Sequence, residues 1–143
     1  MPVVSKSIVT LRIHGDDLDP EEVSSLLGGK PTFSVPKNGL SNYPRGRVRI
    51  ARTGIWRIRT DYACPADLDG QIKEILDQLT DDLSVWDNIS NRHHLDMFCG
   101  LWLSELNEML GISPRPLKGL GQRNIPLLLD IYVESQEENP DEP

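Results

Sequence analysis

The stretch from Ser7 to Leu27 constrains the fold more than any other, because it specifies a strand, a turn and a helix in direct succession. Ser7–His14 alternates apolar or β-branched residues with polar ones, which is typical of a strand with one buried face. Asp19-Pro20 then provides an N-cap and a first helical residue, and a glycine pair follows the helix. We therefore predict a half-buried strand followed by a short amphipathic helix.

A second constraint is the concentration of arginine between Arg45 and Thr60. Apolar residues alternate with arginines in both halves of this segment, which predicts two strands that each have an apolar and a cationic side. We predict that they form a hairpin with its turn near Arg52-Thr53-Gly54. The candidate partner-binding residues of this hairpin are Arg45, Arg47, Arg49, Arg52, Trp56, Arg57 and Arg59. Trp56 could stack on a ligand, although we favour a position in the core.

Periodicity and turn residues predict the elements between these segments. Lys30–Pro44 is rich in Pro, Gly, Ser and Asn, which favours a long loop with a short extended piece at Thr32–Val35. Apolar residues at three- and four-residue steps predict one helix over Pro65–Ile89. Nearly continuous apolar residues predict a central strand, buried on both faces, over His93–Leu103.

A short helix opened by Ser113-Pro114 and a last strand over Pro126–Val133 complete the order of elements. The first six elements, strand–helix–strand–strand–helix–strand, match the ferredoxin-like βαββαβ plan, to which a helix and a strand are appended. We predict one α+β domain over residues 1–133, with a mostly antiparallel sheet covered by helices on one face. The acidic, proline-containing composition of residues 134–143 predicts a disordered tail.

The charge of the chain argues against some functions and points to one surface. The formal net charge is -7, which disfavours nonspecific binding to nucleic acid. Residues 1–60 carry ten Lys or Arg and five Asp or Glu, whereas residues 61–143 carry five and seventeen. This asymmetry predicts either two halves that neutralise each other or one exposed basic face.

The apolar runs and the cysteines bear on the compartment. No apolar run approaches the roughly 20 residues that cross a bilayer, and the first residues lack the apolar core of a secretion signal. We expect a cytoplasmic protein without membrane contact. In that compartment Cys64 and Cys99 are expected to be free thiols rather than a disulfide.

Two clusters carry side chains that could take part in chemistry. The acidic turn His14–Asp19 could bind a hard cation or supply an acid–base pair, but turn formation and helix capping account for its carboxylates. The segment His93–Cys99 contains potential metal ligands, yet a strand would divide them between two faces, and no CxxC or HExxH motif accompanies them. We interpret both clusters as structural, and we expect no metal, cofactor or catalytic residue.

Three motifs occur in a characteristic order along the chain. They are Leu11–Pro20, Arg52–Trp56 and Phe98–Trp102, the last followed by Ile112-Ser113-Pro114 and the closing Leu128–Tyr132. In this order and spacing the chain resembles a bacterial family, the domain of unknown function numbered 4279. The resemblance supports the fold from about residue 7 to 133. It implies no catalytic residue, because the family has no established activity.

We interpret the chain as a non-enzymatic protein-binding module, regulatory or immunity-like, that uses its basic hairpin or an exposed sheet edge to hold an unidentified partner protein. A fold of this kind also favours homodimers, formed through sheet edges or faces. The first alternative is a small-molecule or nucleotide binder, with its ligand between Arg47, Arg49, Trp56 and the loop Lys30–Pro44. A metal-dependent hydrolase that uses the acidic turn ranks last. The arginines could also be a solvated strand face, partly paired with the acidic helix Pro65–Ile89.

Overall fold

The computed structural model describes residues 3–134, which form seven strands and four helices. The strands are β1 (Lys6–Gly15), β2 (Phe33–Val35), β3 (Leu40–Tyr43), β4 (Arg47–Ile50), β5 (Gly54–Arg59), β6 (His94–Leu103) and β7 (Leu127–Val133). The helices are α1 (Pro20–Leu27), α2 (Leu68–Leu76), α3 (Leu83–Arg92) and α4 (Pro114–Gln122). The predicted acidic tail lies outside the described residues except for Glu134, whose backbone N–H donates to the Leu103 carbonyl.

Five strands form one sheet in the order β2-β5-β1-β6-β7. The strand β1 lies at the centre and is antiparallel to both β5 and β6, while β2 is antiparallel to β5. Only β7 runs parallel to its neighbour, β6. The other two strands, β3 and β4, form a separate antiparallel ribbon. The prediction of an α+β fold with a mostly antiparallel sheet is therefore confirmed.

The core lies on one face of this sheet because apolar side chains alternate along β1. Val9, Leu11 and Ile13 are fully buried there, whereas the residues between them are partly exposed. Helix α1 packs on this face, where the indole N–H of Trp56 donates to Ser24 Oγ at 3.0 Å. We call the opposite side the open face; it carries Lys6, Thr10, Arg12 and His14 of β1 together with the residues paired with them on β5 and β6.

The start of the first helix is as predicted. The Asp19 carboxylate accepts a hydrogen bond from the backbone N–H of Glu21 at 3.1 Å, and Pro20 is the first helical residue. The helix ends at Gly28, which adopts a left-handed conformation with φ of 73°. The Asp19 carboxylate is thus engaged as the cap of this helix.

The prediction of one helix over Pro65–Ile89 is wrong, because two helices, α2 and α3, occupy this segment. The backbone N–H of Thr80 donates to the Leu27 carbonyl at 2.7 Å, which ties the chain between the helices to the end of α1. Asp82 then starts α3 by accepting a hydrogen bond from the N–H of Ser84 at 3.0 Å. Two specific hydrogen bonds therefore stabilise the break between the helices.

The predicted hairpin over Arg45–Thr60 is also wrong, although both of its strands exist. Strand β4 pairs with β3 through a 3-10 turn at Pro44–Gly46, and β5 pairs with β1 and β2. The loop predicted over Lys30–Pro44 contributes β2, which was expected near Thr32–Val35, and β3, which was not. Since β5 buries its apolar side against α1 and the sheet centre, it completes the main sheet instead of pairing with the exposed β4.

A membrane-spanning helix is not found among residues 3–134, where every helix is too short or too polar. Cys64 is exposed and Cys99 is buried, and neither forms a disulfide with the other. The Cys99 side chain lies on the helix-covered side of β6, in the hydrophobic core.

Candidate functional site

Three arginines converge at a cleft on the open face, which is lined by the β3–β4 ribbon and by strands β2 and β5. The cleft has a volume of about 240 Å³. Its cationic walls are Arg49 of β4, Arg52 in the following connection and Arg57 of β5. Phe33 and Tyr43 supply aromatic walls. We call this feature the arginine cleft.

The pairing registers explain how residues from distant parts of the chain meet at the arginine cleft. Phe33 on β2 pairs with Arg57 on β5, so both side chains project from the open face. In the ribbon, Ser41 pairs with Arg49 and Tyr43 with Arg47, which puts these four side chains on one side. Ser41, Tyr43 and Arg49 line the cleft from this side, and Ile50 at the end of β4 lines it as well.

The cationic groups of the arginine cleft have aromatic neighbours and no anionic ones in the described chain. The guanidinium of Arg49 lies 5.6 Å from the ring centroid of Tyr43, and that of Arg57 lies 5.8 Å from that of Phe33. Among residues 3–134, no carboxylate oxygen comes within 4.0 Å of the cleft arginines. The site therefore presents positive charge that the described protein does not neutralise.

The other predicted site residues lie in different places. Trp56 is fully buried on the helix-covered face and does not lie beside the arginines. Arg59 is exposed on the open face, two residues beyond Arg57 along β5. Arg47 lies on the same side of the ribbon as Arg49 but does not line the cleft, and Arg45 is exposed in the turn with a left-handed φ of 67°. The structure thus brings together Arg49, Arg52 and Arg57 and separates Trp56 from them.

An ion pair occupies the centre of the open face. Arg12 donates two hydrogen bonds to the carboxylate of Asp96, at 2.8 and 3.0 Å, and its guanidinium lies 4.2 Å from the ring centroid of Phe98. Beside this pair the rings of His14 and His94 stack with centroids 5.2 Å apart. The predicted division of these side chains between two faces is confirmed, because His94 and Asp96 lie on the open face and Cys99 lies in the core. The sequence does not predict Arg12 as the neighbour of His94 and Asp96.

The clusters that could have held a metal are dispersed by the fold. Asp19 caps α1, and Asp16 lies 3.5 Å from the ammonium of Lys37. Burial, and to a lesser extent Asp96, raises the pKa of the Cys99 thiol to about 12, which favours the protonated thiol. Within the described range, no group of three or more His, Cys, Asp or Glu residues is arranged to hold a metal ion.

A family model supports the resemblance seen in the motifs. The model, described as a domain of unknown function (DUF4279), matches residues 5–134, which include all seven strands and the arginine cleft. The chain belongs to this family. Comparisons with curated proteins and with solved structures each gave no match.

This DUF4279 domain has a second and larger depression that the sequence did not predict. A groove of about 910 Å³ lies between α2 and α4. Its lining carries charges of both signs, among them Lys73, Asp77 and Arg115, and the Lys73 ammonium pairs with Asp77. Because these charges partly satisfy one another, the groove lacks the single-sign character of the arginine cleft.

Two histidines of the DUF4279 domain make its stability depend on pH. The pKa of His93 is lowered by burial and then by Arg92, and its Nδ1 has no hydrogen-bond partner among residues 3–134. The pKa of His14 is lowered by burial and then by His94. Between these lowered pKa values and the ordinary histidine pKa of about 6.5, the unfolded chain therefore binds more protons than the folded chain does. The stabilising contribution is complete above that value and is lost as the pH falls through the lower pKa of the folded state.

We expect the free energy of unfolding to fall between about pH 7 and about pH 5.5, a range above most carboxylate pKa values. Urea unfolding at both pH values measures this fall in the native protein and in His93→Gln. The variant should lose part of the fall, because residue 93 no longer takes up a proton on unfolding. An unchanged fall in the variant would show that His93 does not contribute.

Proposed function

We propose that this DUF4279 domain is a non-enzymatic binding module that holds an acidic segment of a partner protein at the arginine cleft. The observation that carries the proposal is the convergence of Arg49, Arg52 and Arg57 without a carboxylate nearby in the described chain. Guanidinium groups form paired hydrogen bonds with carboxylates, and clusters of arginine recur in proteins that recognise acidic motifs.

The size of the arginine cleft favours a carboxylate side chain as the group that enters it. Sites that enclose drug-sized ligands have volumes of roughly 300–1,000 Å³. The cleft, at about 240 Å³, is smaller than that range. A glutamate or aspartate side chain of a bound segment could enter it, while the rest of the segment lies along the exposed Arg57 and Arg59 of β5.

The side of the ribbon opposite to Arg49 carries exposed apolar residues, which favour a protein partner over a free ion. Leu40 is 69% exposed, Val48 59% and Ile50 62%. Leu40 pairs directly with Ile50, and Val48 is on the same side of β4 as Ile50. Adjacent exposed apolar residues beside charged groups are typical of a protein-interaction surface. A partner that covers the ribbon would bury these three side chains while its acidic groups meet the arginines.

The proposal predicts that reversing two charges of the arginine cleft weakens binding of an acidic peptide. The probe is a fluorescently labelled peptide of ten alternating glutamate and glycine residues, and fluorescence anisotropy measures its affinity. The double variant Arg49→Glu, Arg57→Glu should bind the peptide at least about tenfold more weakly, which is about 1.4 kcal/mol. Binding by the native domain should also weaken with added salt, because exposed charges are screened beyond about 10 Å at 0.1 M ionic strength.

The matched control is Arg115→Glu with Lys118→Glu, which makes the same change in net charge on exposed positions of α4. This control should bind the peptide with native affinity. An equal loss in both double variants would mean that binding follows net charge alone. Preference for an oligouridine probe over the peptide would contradict a protein partner, and it is not expected because the net charge of -7 disfavours binding to nucleic acid.

A second candidate function is the binding of a small phosphorylated ligand, which the aromatic walls of the arginine cleft favour. Tyr43 and Phe33 could contact a base or sugar while the arginines bind phosphate. Pyrophosphate and ATP are the probes for this candidate. A rise in melting temperature with ATP, lost in Arg49→Glu with Arg57→Glu and absent with the peptide, would favour the small ligand over the protein partner.

We also infer that strands β1, β2, β5 and β6 follow the ferredoxin-like βαββαβ plan that the sequence predicts, with the ribbon inserted after β2. The adjacency β2-β5-β1-β6 supports this inference, as do the placement of α1 between β1 and β2 and of α2 and α3 between β5 and β6. In this arrangement the arginine cleft forms between an insertion and the β2–β5 edge of the plan, and the plan itself does not require it.

A further inference from the structure

The edge strand β7 exposes backbone and apolar side chains together. It pairs with β6 on one side only, and no described strand pairs with its other side. Leu129 is 45% exposed, Ile131 55% and Val133 56%, and Leu128 and Tyr132 are exposed on the opposite side of the strand. Asp130 is the only charged residue among its seven. An edge of this length and composition is a ready template for pairing with another strand.

The other edge strand of the sheet, β2, is protected against pairing with a further strand, whereas β7 is not. Strand β2 has only three residues, Phe33–Val35, and it lies between Pro31 and Pro36. Short edge strands and flanking prolines are features by which proteins prevent edge-to-edge pairing. The described part of β7 contains neither proline nor lysine.

The parallel pairing with β6 fixes which groups of β7 point outward. The Glu134 N–H donates to the Leu103 carbonyl, and the Pro126 carbonyl accepts from Met97 N–H, so the even-numbered residues direct their N–H and C=O groups toward β6. Because these directions alternate along a strand, the N–H and C=O groups of Leu129, Ile131 and Val133 point to the free edge. These three residues can therefore pair with a further strand.

Charge disfavours two of the registers that are open to the strand if the added strand is β7 of a second copy. An antiparallel pair centred on Ile131 places Leu129 opposite Val133 and Asp130 opposite Tyr132, and it uses every outward N–H and C=O of the three edge residues. Centring on Asp130 would place two carboxylates opposite each other, and centring on Tyr132 would place Asp130 opposite Glu134. Both arrangements are disfavoured because like charges directly opposite repel.

We propose that this protein forms a homodimer in which the β7 strands of two copies pair antiparallel about Ile131. The interface is isologous, since the same strand faces itself across a twofold axis. It joins the two sheets into one continuous sheet and covers the apolar side chains of both edge strands. The interface is independent of the arginine cleft, which lies at the opposite edge, beside β2.

Sedimentation velocity over a dilution series tests the proposal. The native chain should sediment with twice its 16.1 kDa mass at high concentration and dissociate on dilution. Ile131→Lys places two ammonium groups opposite each other, so its dissociation constant should rise at least about tenfold. The matched control is Val48→Lys, an equally exposed β-branched residue of β4, which should dimerise as the native chain does.

A measurement on the native chain excludes misfolding of the variant as the cause. The amide hydrogens of Leu129, Ile131 and Val133 should exchange slowly in the dimer and faster on dilution, whereas the amides of β4 should not respond. A native chain that is monomeric at all concentrations would overturn the proposal. So would a dimer that Ile131→Lys leaves intact, or one that only Val48→Lys disrupts.

Discussion

Replacing Trp56 with alanine is expected to lower the free energy of unfolding by about 3–5 kcal/mol, the range for deleting a large aromatic side chain from a core. Trp56 has no exposed surface, so its removal leaves a cavity between the sheet and α1. The Ser24 hydroxyl also loses the hydrogen bond of 3.0 Å that it accepts from the indole N–H. Urea unfolding followed by circular dichroism measures the change.

Two control variants separate the contributions of Trp56. Ser24→Ala removes the hydrogen bond without a large cavity and should cost only about 1 kcal/mol. Arg57 follows Trp56 in the sequence but lies exposed on the open face, so Arg57→Ala should change the free energy of unfolding by less than about 0.5 kcal/mol. A Trp56→Ala variant that stays fully folded but no longer binds the acidic peptide would contradict the core role and return Trp56 to the binding site.

Trp56 also shows what local sequence can predict. The alternation of apolar residues and arginines in β5 correctly places Trp56 and Ile58 on one side and Arg57 and Arg59 on the other. Side-chain alternation depends only on the strand itself, so it can be recognised from a few residues. The burial of Trp56 follows because the apolar side of a central strand must face the core.

The pairing of β4 could not be predicted in the same way, since it depends on a competing partner. A hairpin between β4 and β5 would need only the short connection at Arg52-Thr53, and local sequence therefore favours it. Strand β3, Leu40–Tyr43, contains Ser and Asn, which are weak strand signals, so the local sequence predicts a loop there. The arginine cleft depends on this pairing, and the sequence could therefore identify its arginines but not their arrangement around Tyr43 and Phe33.

The break between α2 and α3 did leave a signal in the sequence. Leu79 and Leu83 continue the apolar periodicity, so the pattern predicts one helix across the break. Thr80, Asp81 and Asp82 stand together, however, and Asp82 before a leucine and a serine is typical of an N-cap. Giving capping residues priority over periodicity would have predicted two helices.

Replacing Gln71 with leucine is expected to lower the free energy of unfolding by about 2–4 kcal/mol, because buried polar groups would lose their partners. Gln71 is 6% exposed and joins α2 to the start of β1. Its Oε1 accepts from Ser7 Oγ at 2.6 Å, and its Nε2 donates to the Ser7 carbonyl at 3.0 Å and to the Asp61 carbonyl at 2.9 Å. Leucine fills the space but satisfies none of these groups.

The control for Gln71 is Gln78→Leu, at an exposed position just after α2, which should change stability by less than about 0.5 kcal/mol. A glutamate at position 71 tests the direction of the hydrogen bonds. Its carboxylate would face the Ser7 and Asp61 carbonyls as a second acceptor, so burial should raise its pKa and the variant should be least stable at neutral pH. Relative to the native chain, Gln71→Glu should recover stability as the pH falls toward about 5. Equal losses at both pH values would mean that shape, and not the donated hydrogen bonds, accounts for the role of Gln71.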